Sequence, residues 1–225
     1  MKAVDHRREG AGYDSYVSQD QVPNKSTNHP DDARQSILDA AIAAIDAGGE
    51  ASLRIVDVAK RAGVTQGMVS YYFGDRDGLV AEAHLARYRS TLNQDTIILT
   101  TALGEAADAD RFYATLGLIT RELVKTSRSE RRLARVLVLG AARGRPGLLE
   151  AVREVQTDLM DRLEHIVTSA QARGYIRADL SSRAIAEFFG AYTLGFVVAD
   201  MDPARPSDEA LALVVDSFTN SLRPD

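Results

Sequence analysis

Apolar residues begin to recur at helical spacing at Ile37, Leu38, Ala41, Ile42 and Ile45. They form one stripe of an amphipathic helix, with Asp31 and Asp32 near its start and Gly48-Gly49 at its end. A short helix through Val58, Ala59 and Ala62 follows and stops at Gly63. Thr65 is placed to cap the next, which runs through Val69 to Phe73. After Gly74 a longer helix is predicted from about Asp75 to the middle nineties. The remainder reads as five more helices. Phe112, Leu116, Ile119 and Leu123 mark the first, and Leu133, Val136, Leu137 and Gly140 the second. The run from Arg143 to Gly147 breaks the chain before a long helix through Leu149, Val152, Leu159, Leu163 and Ile166, which ends at Gly174. Ser181 or Ser182 caps a helix carrying Ile185, Phe188, Phe189, Tyr192 and Phe196, which ends near Asp202-Pro203. A last helix carries Leu211, Val214, Val215 and Phe218. No stretch alternates as a strand does and no segment repeats, so the predicted fold class is all-α.

Residues up to about Pro30 are rich in Gly, Ser, Asn, Asp and Gln and have no apolar period, which predicts a disordered tail over 1–30. The organisation expected beyond it is a compact unit over 31–76 and a larger helical unit over 77–225.

The spacing between Ile55 and Tyr72 carries more information than any other part. Two short helices that cross tightly impose size limits at fixed positions. Ala59 supplies a small residue where they approach, and Gly63, four residues on, permits a left-handed turn. Val58, Val64 and Val69 supply the apolar contacts that hold the second helix on the first. An ordinary helical hairpin shares any one of these features; their joint spacing predicts a helix-turn-helix.

The segment Ile55-Val-Asp-Val-Ala-Lys-Arg-Ala-Gly-Val-Thr-Gln-Gly-Met-Val-Ser-Tyr-Tyr-Phe73, followed by Gly-Asp-Arg-Asp-Gly-Leu79, resembles the DNA-binding region of the TetR/AcrR transcriptional regulators. Ile37-Leu-Asp-Ala-Ala41 resembles the family's first helix, and the likeness extends from about Arg34 to Leu85. Ser70 to Leu79 is particularly similar to the family's choline-responsive BetI branch.

The resemblance implies a three-helix helix-turn-helix domain followed by a helical domain for ligand binding and dimerisation. It also implies a homodimeric repressor, released from a palindromic operator by a small-molecule effector. An activator, or a regulator controlled by a protein, has the same DNA-binding domain. By the same resemblance Gln66 to Tyr72 lies in the major groove. Thr65 caps that helix and donates to phosphate, while Gly67 lets the first turn approach the strand. Gln66 contacts a base, with adenine its usual geometric partner. Tyr71 contacts a base or a thymine methyl, Tyr72 and Arg76 bind phosphate, and Met68 is counted with this set. Two residues depart from the family pattern. Arg54 stands where Thr or Ser usually caps the second helix, so it reaches phosphate but cannot cap. Ser70 stands where Tyr is commoner.

The last two helices combine small and large apolar residues. Phe188, Ala191, Gly195, Leu211, Val214, Val215 and Phe218 are expected either to pack against a two-fold copy as a four-helix bundle or to form an intramolecular core. In the resembled family this region is the dimer interface. A pocket with apolar walls and a few polar groups is expected from Tyr88, Phe112, Tyr113, Leu116, Phe189 and Tyr192. Phe73, Phe112, Phe188 and Phe218 otherwise read as core, and Arg128, Arg131, Arg132 and Arg135 as a surface cluster before an anion site.

Composition narrows the alternatives. The hydrophobic share of 45% is ordinary for a globular chain of 225 residues. With no cysteine there is no disulfide, zinc-finger ligand set or thiol nucleophile. A net charge of −5 argues against indiscriminate coating of nucleic acid, though phosphate contacts depend on local charge. Val64 to Gly74 contains no acidic residue, and Lys60, Arg61 and Arg76 flank it. His84 and His165 have no partner at metal-ligand spacing. No nucleophile elbow, P-loop or Gly-rich dinucleotide turn occurs, so an enzyme is not expected and neither is a cofactor. No signal peptide or membrane span is legible, and the expected location is cytoplasmic.

Overall fold

A computed structural model describes residues 30–224, apart from the side chains at 30, 94, 95, 97 and 98. The expected tail over 1–30 therefore lies outside the described residues except for Pro30. Among the described residues the secondary structure is helical throughout, with nine α-helices and no strand. They are α1 (Pro30–Gly48), α2 (Ile55–Ala62), α3 (Gln66–Phe73), α4 (Arg76–Gly104), α5 (Ala109–Val124), α6 (Ser129–Ala142), α7 (Pro146–Ala172), α8 (Ser182–Asp200) and α9 (Asp208–Asn220). None of these helices is long and apolar enough to cross a membrane.

Local chemistry sets the boundaries. Thr65 Oγ1 accepts from the Met68 amide, Asp75 from Gly78, Asp108 from Arg111, Ser181 from Ala184 and Ser207 from Ala210. Each places a short side-chain acceptor over an amide that has no partner within its helix. Pro146 opens α7, where its missing N–H costs nothing.

Helix α4 runs to Gly104, beyond the end expected in the middle nineties. The stretch Thr96 to Thr101 is rich in β-branched residues, whose helix propensity is only slightly unfavourable. Packing of Leu99 and Leu103 against α5 and α7 residues carries the helix through it.

Three apolar clusters organise the molecule. The first joins Ile37, Ala41 and Ile45 of α1 to Leu53, Val58, Val69 and Phe73, and reaches Leu79, Val80 and Ala83 on α4. The first turns of α4 thus pack with the amino-terminal helices, past the division expected after residue 76. The second cluster gathers Leu103, Phe112, Leu116, Val167, Ile176 and Ile185, and the third Tyr88, Leu92, Val138, Leu148, Val152 and Met160. Because α4 contributes to all three, it is the shared beam of the structure.

Candidate nucleic-acid interface and interior cavity

The turn between α2 and α3 is made by Gly63, whose φ of 69° is left-handed. Its amide and that of Val64 both donate to the Ala59 carbonyl, the latter at 3.0 Å, so the chain reverses within two residues. Val58, Ala59, Val69 and Phe73 are buried together, which fixes how α3 lies on α2.

Burial of Val69 and Phe73 turns the opposite face of α3 outward. Gln66, Gly67, Ser70 and Tyr71 are exposed there, and Tyr71 is 82% exposed, although its ring packs edge-on to Tyr72 at 5.1 Å. Tyr72 is half-buried against the first core and Met68 is also partly covered. Arg54, at the start of α2, makes no side-chain cap, so that helix begins without one. Arg54, Lys60 and Arg61 are exposed, and with the exposed α3 residues they offer cations, amide and hydroxyl groups for a polyanion.

Arg76 sits differently from the sequence expectation of a phosphate anchor. Its Nε donates to the Leu53 carbonyl at 3.0 Å and a terminal nitrogen donates to the Glu50 carbonyl. The guanidinium braces the turn before α2, because the start of α4 lies directly beside that turn.

A charged junction missing from the sequence reading surrounds the same turn. Arg145, between α6 and α7, bonds both Glu50 and Asp77. His84 is only 4% exposed; its Nε2 lies 3.7 Å from Glu50 Oε2, and neither ring nitrogen has a hydrogen-bond partner. Burial holds the imidazole below its usual pKa, opposed by Glu50 and reinforced by Arg87 and Arg145. These residues are far apart in sequence, and no local pattern brings them together.

The larger domain holds a cavity of about 120 Å³, partly open to solvent. Its walls come from α4 to α8 and include Phe112, Leu116 and Phe189, three of the six residues expected around a pocket. The other three expected residues do not line it. Tyr88 donates to Gln156 Oε1 at 2.9 Å, in the packing of α4 on α7. Tyr113 donates to the Tyr175 carbonyl at 3.0 Å. Tyr192 contacts Phe188, Phe189 and Phe196, and burial raises its hydroxyl pKa. Arg128, Arg131, Arg132 and Arg135, expected as a surface cluster, instead line the cavity. Their spacing of i, i+3, i+4 and i+7 puts them on one face of α6 and its lead-in, and was the available signal.

On the outside, Phe188, Ala191, Gly195 and Val214 are exposed, while Leu211 and Phe218 are half-buried. Val215 is buried within the single chain. The Phe188 and Phe218 rings, 4.5 Å apart, join α8 to α9. Val198 at 71% and Val214 at 68% exposure extend the apolar face, together with Met201 and Leu213.

Comparison with known proteins follows the same division. Residues 37–83 match the family model described as bacterial regulatory proteins, tetR family. The chain is 36% identical over 81 residues to the HTH-type transcriptional regulator BetI of Serratia proteamaculans, a match covering 36% of this chain and 40% of that protein. BetI of Burkholderia mallei is 36% identical over 78 residues, covering 35% of this chain and 38% of that one. The likeness to these curated relatives thus spans well under half of their length. Over most of the chain the fold is shared with solved structures. A Mesorhizobium loti protein assigned to the TetR family superposes with a TM-score of 0.69 at 20% identity, over 86% of this chain and 96% of that one. The transcriptional regulator FadR of Bacillus subtilis, solved in complex with stearoyl-CoA, does so at 0.58 and 20% identity, over 82% and 96%.

Proposed function

This chain belongs to the TetR family of bacterial regulatory proteins, and on that premise we propose that it is a homodimeric transcriptional repressor, released from a palindromic DNA operator by a small molecule. The observation that carries DNA binding is the outward face of α3, where Gln66, Gly67, Ser70 and Tyr71 are exposed beside the cations of α2. An aromatic ring left 82% exposed on a short helix is well suited to a ligand that covers it. In this reading α3 enters the major groove, Gln66 and Tyr71 touch bases, and Thr65, Gly67, Tyr72 and Arg54 meet the backbone. Met68, half-covered, packs beneath that surface. Arg76 acts mainly by holding the turn before α2, with its remaining donors directed to phosphate.

Exposed apolar residues on α8 and α9 support a two-fold helical interface, which would hide Val198, Met201, Leu213 and Val214 from water. Such a dimer holds two α3 helices at the spacing of successive major grooves, about 34–36 Å for half-sites one turn apart. The interior cavity is the effector site, and a ligand there acts by shifting α4 and α6. Stearoyl-CoA in the Bacillus subtilis structure supports the view that this fold can take such a ligand. The protein would act in the cytoplasm, where the operator is.

The test is selection of duplexes from a random library, followed by anisotropy titration with light scattering of the complex. A palindromic consensus bound by two chains is expected. Binding with no sequence preference, or one chain per duplex at saturation, would overturn the reading.

A further inference from the structure

The interior cavity is too small to hold a whole effector. Its volume is about 120 Å³, below the roughly 150 Å³ in which a protein interior takes up a single benzene. Sites for drug-sized ligands span about 300–1,000 Å³. A second hollow supplies the missing space. An outer groove of about 440 Å³ runs between the carboxy-terminal end of α4 and the second half of α7. Leu103, Phe112 and Ile166 line both the cavity and the groove, so one wall of three residues has the interior on one side and the groove on the other.

The two sides differ in chemistry. Inward of the shared wall the cavity continues into Leu99, Leu116, Val167, Ile176 and Ile185, all apolar. The cavity's threonines do not alter this, because each hydroxyl donates to a carbonyl of its own helix: Thr91 to Arg87, Thr96 to Leu92, Thr120 to Leu116 and Thr193 to Phe189. On the groove side Asp161, Arg162, His165 and Ser169 follow one face of α7 and are exposed. The charges there are paired within the chain, Asp161 with Arg183 and Arg162 with Asp158. Arg173 closes the end of the groove. Its guanidinium donates to the Gly104 and Ala106 carbonyls and covers the Tyr175 ring, which fixes the end of α4 on the end of α7. An apolar group is therefore favoured inward of the wall, and a hydrated one outward.

We propose that the effector is an amphiphile that straddles this wall: its apolar end passes between Leu103, Phe112 and Ile166 into the cavity, and its hydrated polar head stays in the groove between α4 and α7. The inference rests on the reading of the cavity as the effector site. Because the ion pairs of the rim are already made, the head is admitted for its hydration rather than for its charge.

The test uses the full chain and three molecules: decanol, decyl maltoside below its micellar concentration, and maltose. In calorimetry decyl maltoside is expected to bind within about tenfold of decanol, because its sugar head, too large for the cavity, remains in the groove. Maltose alone is expected not to bind. The chain has no cysteine, so Ser169→Cys takes a single environment-sensitive fluorophore at the groove, and Glu154→Cys takes one elsewhere on the exposed side of α7. Circular dichroism checks the fold of both labelled chains. Decyl maltoside is expected to shift the emission at 169 and not at 154, and decanol to reverse that shift by taking the cavity. Decyl maltoside that fails to bind where decanol binds means a wholly enclosed guest, and overturns the proposal. So does a silent fluorophore at 169, a signal there that decanol cannot reverse, or binding of neither molecule. The same molecules are then added to the chain bound to its selected duplex. A reversible signal at 169 without displacement of DNA upholds the straddling site and sinks the release mechanism; displacement by decanol alone does the reverse.

Discussion

Arg145 Nε lies 2.9 Å from Asp77 Oδ1, tying the loop between α6 and α7 to the first turn of α4. The same guanidinium bonds Glu50, in the turn that precedes α2. Helix α6 walls the cavity at its other end through Arg131, Arg132 and Arg135. One rigid element therefore joins the cavity to the base of the helix-turn-helix. Arg145→Ala is expected to leave binding of the effector intact while lowering its effect on operator affinity, from a typical coupling of about 1–3 kcal/mol toward zero. Ligand titrations with and without duplex measure this. An unchanged coupling in the variant would place the route of communication in α4 alone.

His84 gives the same junction a pH dependence. Burial is the largest cause of its lowered pKa; Arg87 and Arg145 act with burial, and Glu50 against it. The unfolded chain then takes up a proton near pH 6.5 that the folded chain resists. The stabilisation is fully present above that pH and is lost as pH falls toward the lower folded value. Thermal unfolding should show a steeper loss between about pH 7 and pH 5.5 for the natural chain than for His84→Gln. Parallel curves for the two proteins would mean that His84 titrates normally.

The turn of the helix-turn-helix makes a sharper stability prediction. Gly63 is at φ 69°, and a Cβ there meets no atom within 4 Å, so any cost of Gly63→Ala is backbone strain alone. That strain is about 1–2 kcal/mol for a left-handed residue with a Cβ. Denaturant unfolding should report it, and a loss well below this range would mean that the turn relaxes.

What was legible in the sequence follows from where the information is local. Gly63, Thr65 and the valines at 58, 64 and 69 act within a few residues, so spacing alone placed the helix-turn-helix. Caps at Thr65 and Ser181 were legible for the same reason. The end of α4 was not, because Leu99 and Leu103 are held by contacts from α5 and α7. Nor was the site of Arg76, whose partners at Leu53 and Glu50 lie over twenty residues away. Tyr88, Tyr113 and Tyr192 have the size and polarity of pocket residues, but the first two hydroxyls bond Gln156 and the Tyr175 carbonyl, and the Tyr192 ring packs among Phe188, Phe189 and Phe196 of its own helix.

Dimer formation is best tested at residues that the single chain does not need. Val198 and Val214 are mostly exposed, so Val198→Asp or Val214→Asp should leave the protomer's stability within about 0.5 kcal/mol. Buried in a two-fold interface, an unpaired carboxylate is costly. Light scattering should then find monomers that remain helical. Folded dimers of both variants would put the interface on another face.

Base reading is tested by separating specificity from affinity. Gln66 begins α3 and is exposed, and its amide both donates and accepts, the pattern an adenine edge requires. Gln66→Ala should cost about 1–3 kcal/mol on the preferred duplex and much less on duplexes altered at the contacted pair. Tyr72 is half-buried, and with its hydroxyl in the proposed role of a phosphate contact, Tyr72→Phe should weaken every duplex alike. Arg76→Ala is the less informative variant, since it also removes the brace at Leu53 and Glu50. Binding of both informative variants to a panel of single-base-pair substitutions distinguishes the two roles. If Gln66→Ala leaves the ranking of that panel unchanged, Gln66 is not a base contact, and Tyr71 becomes the remaining reader on the exposed face of α3.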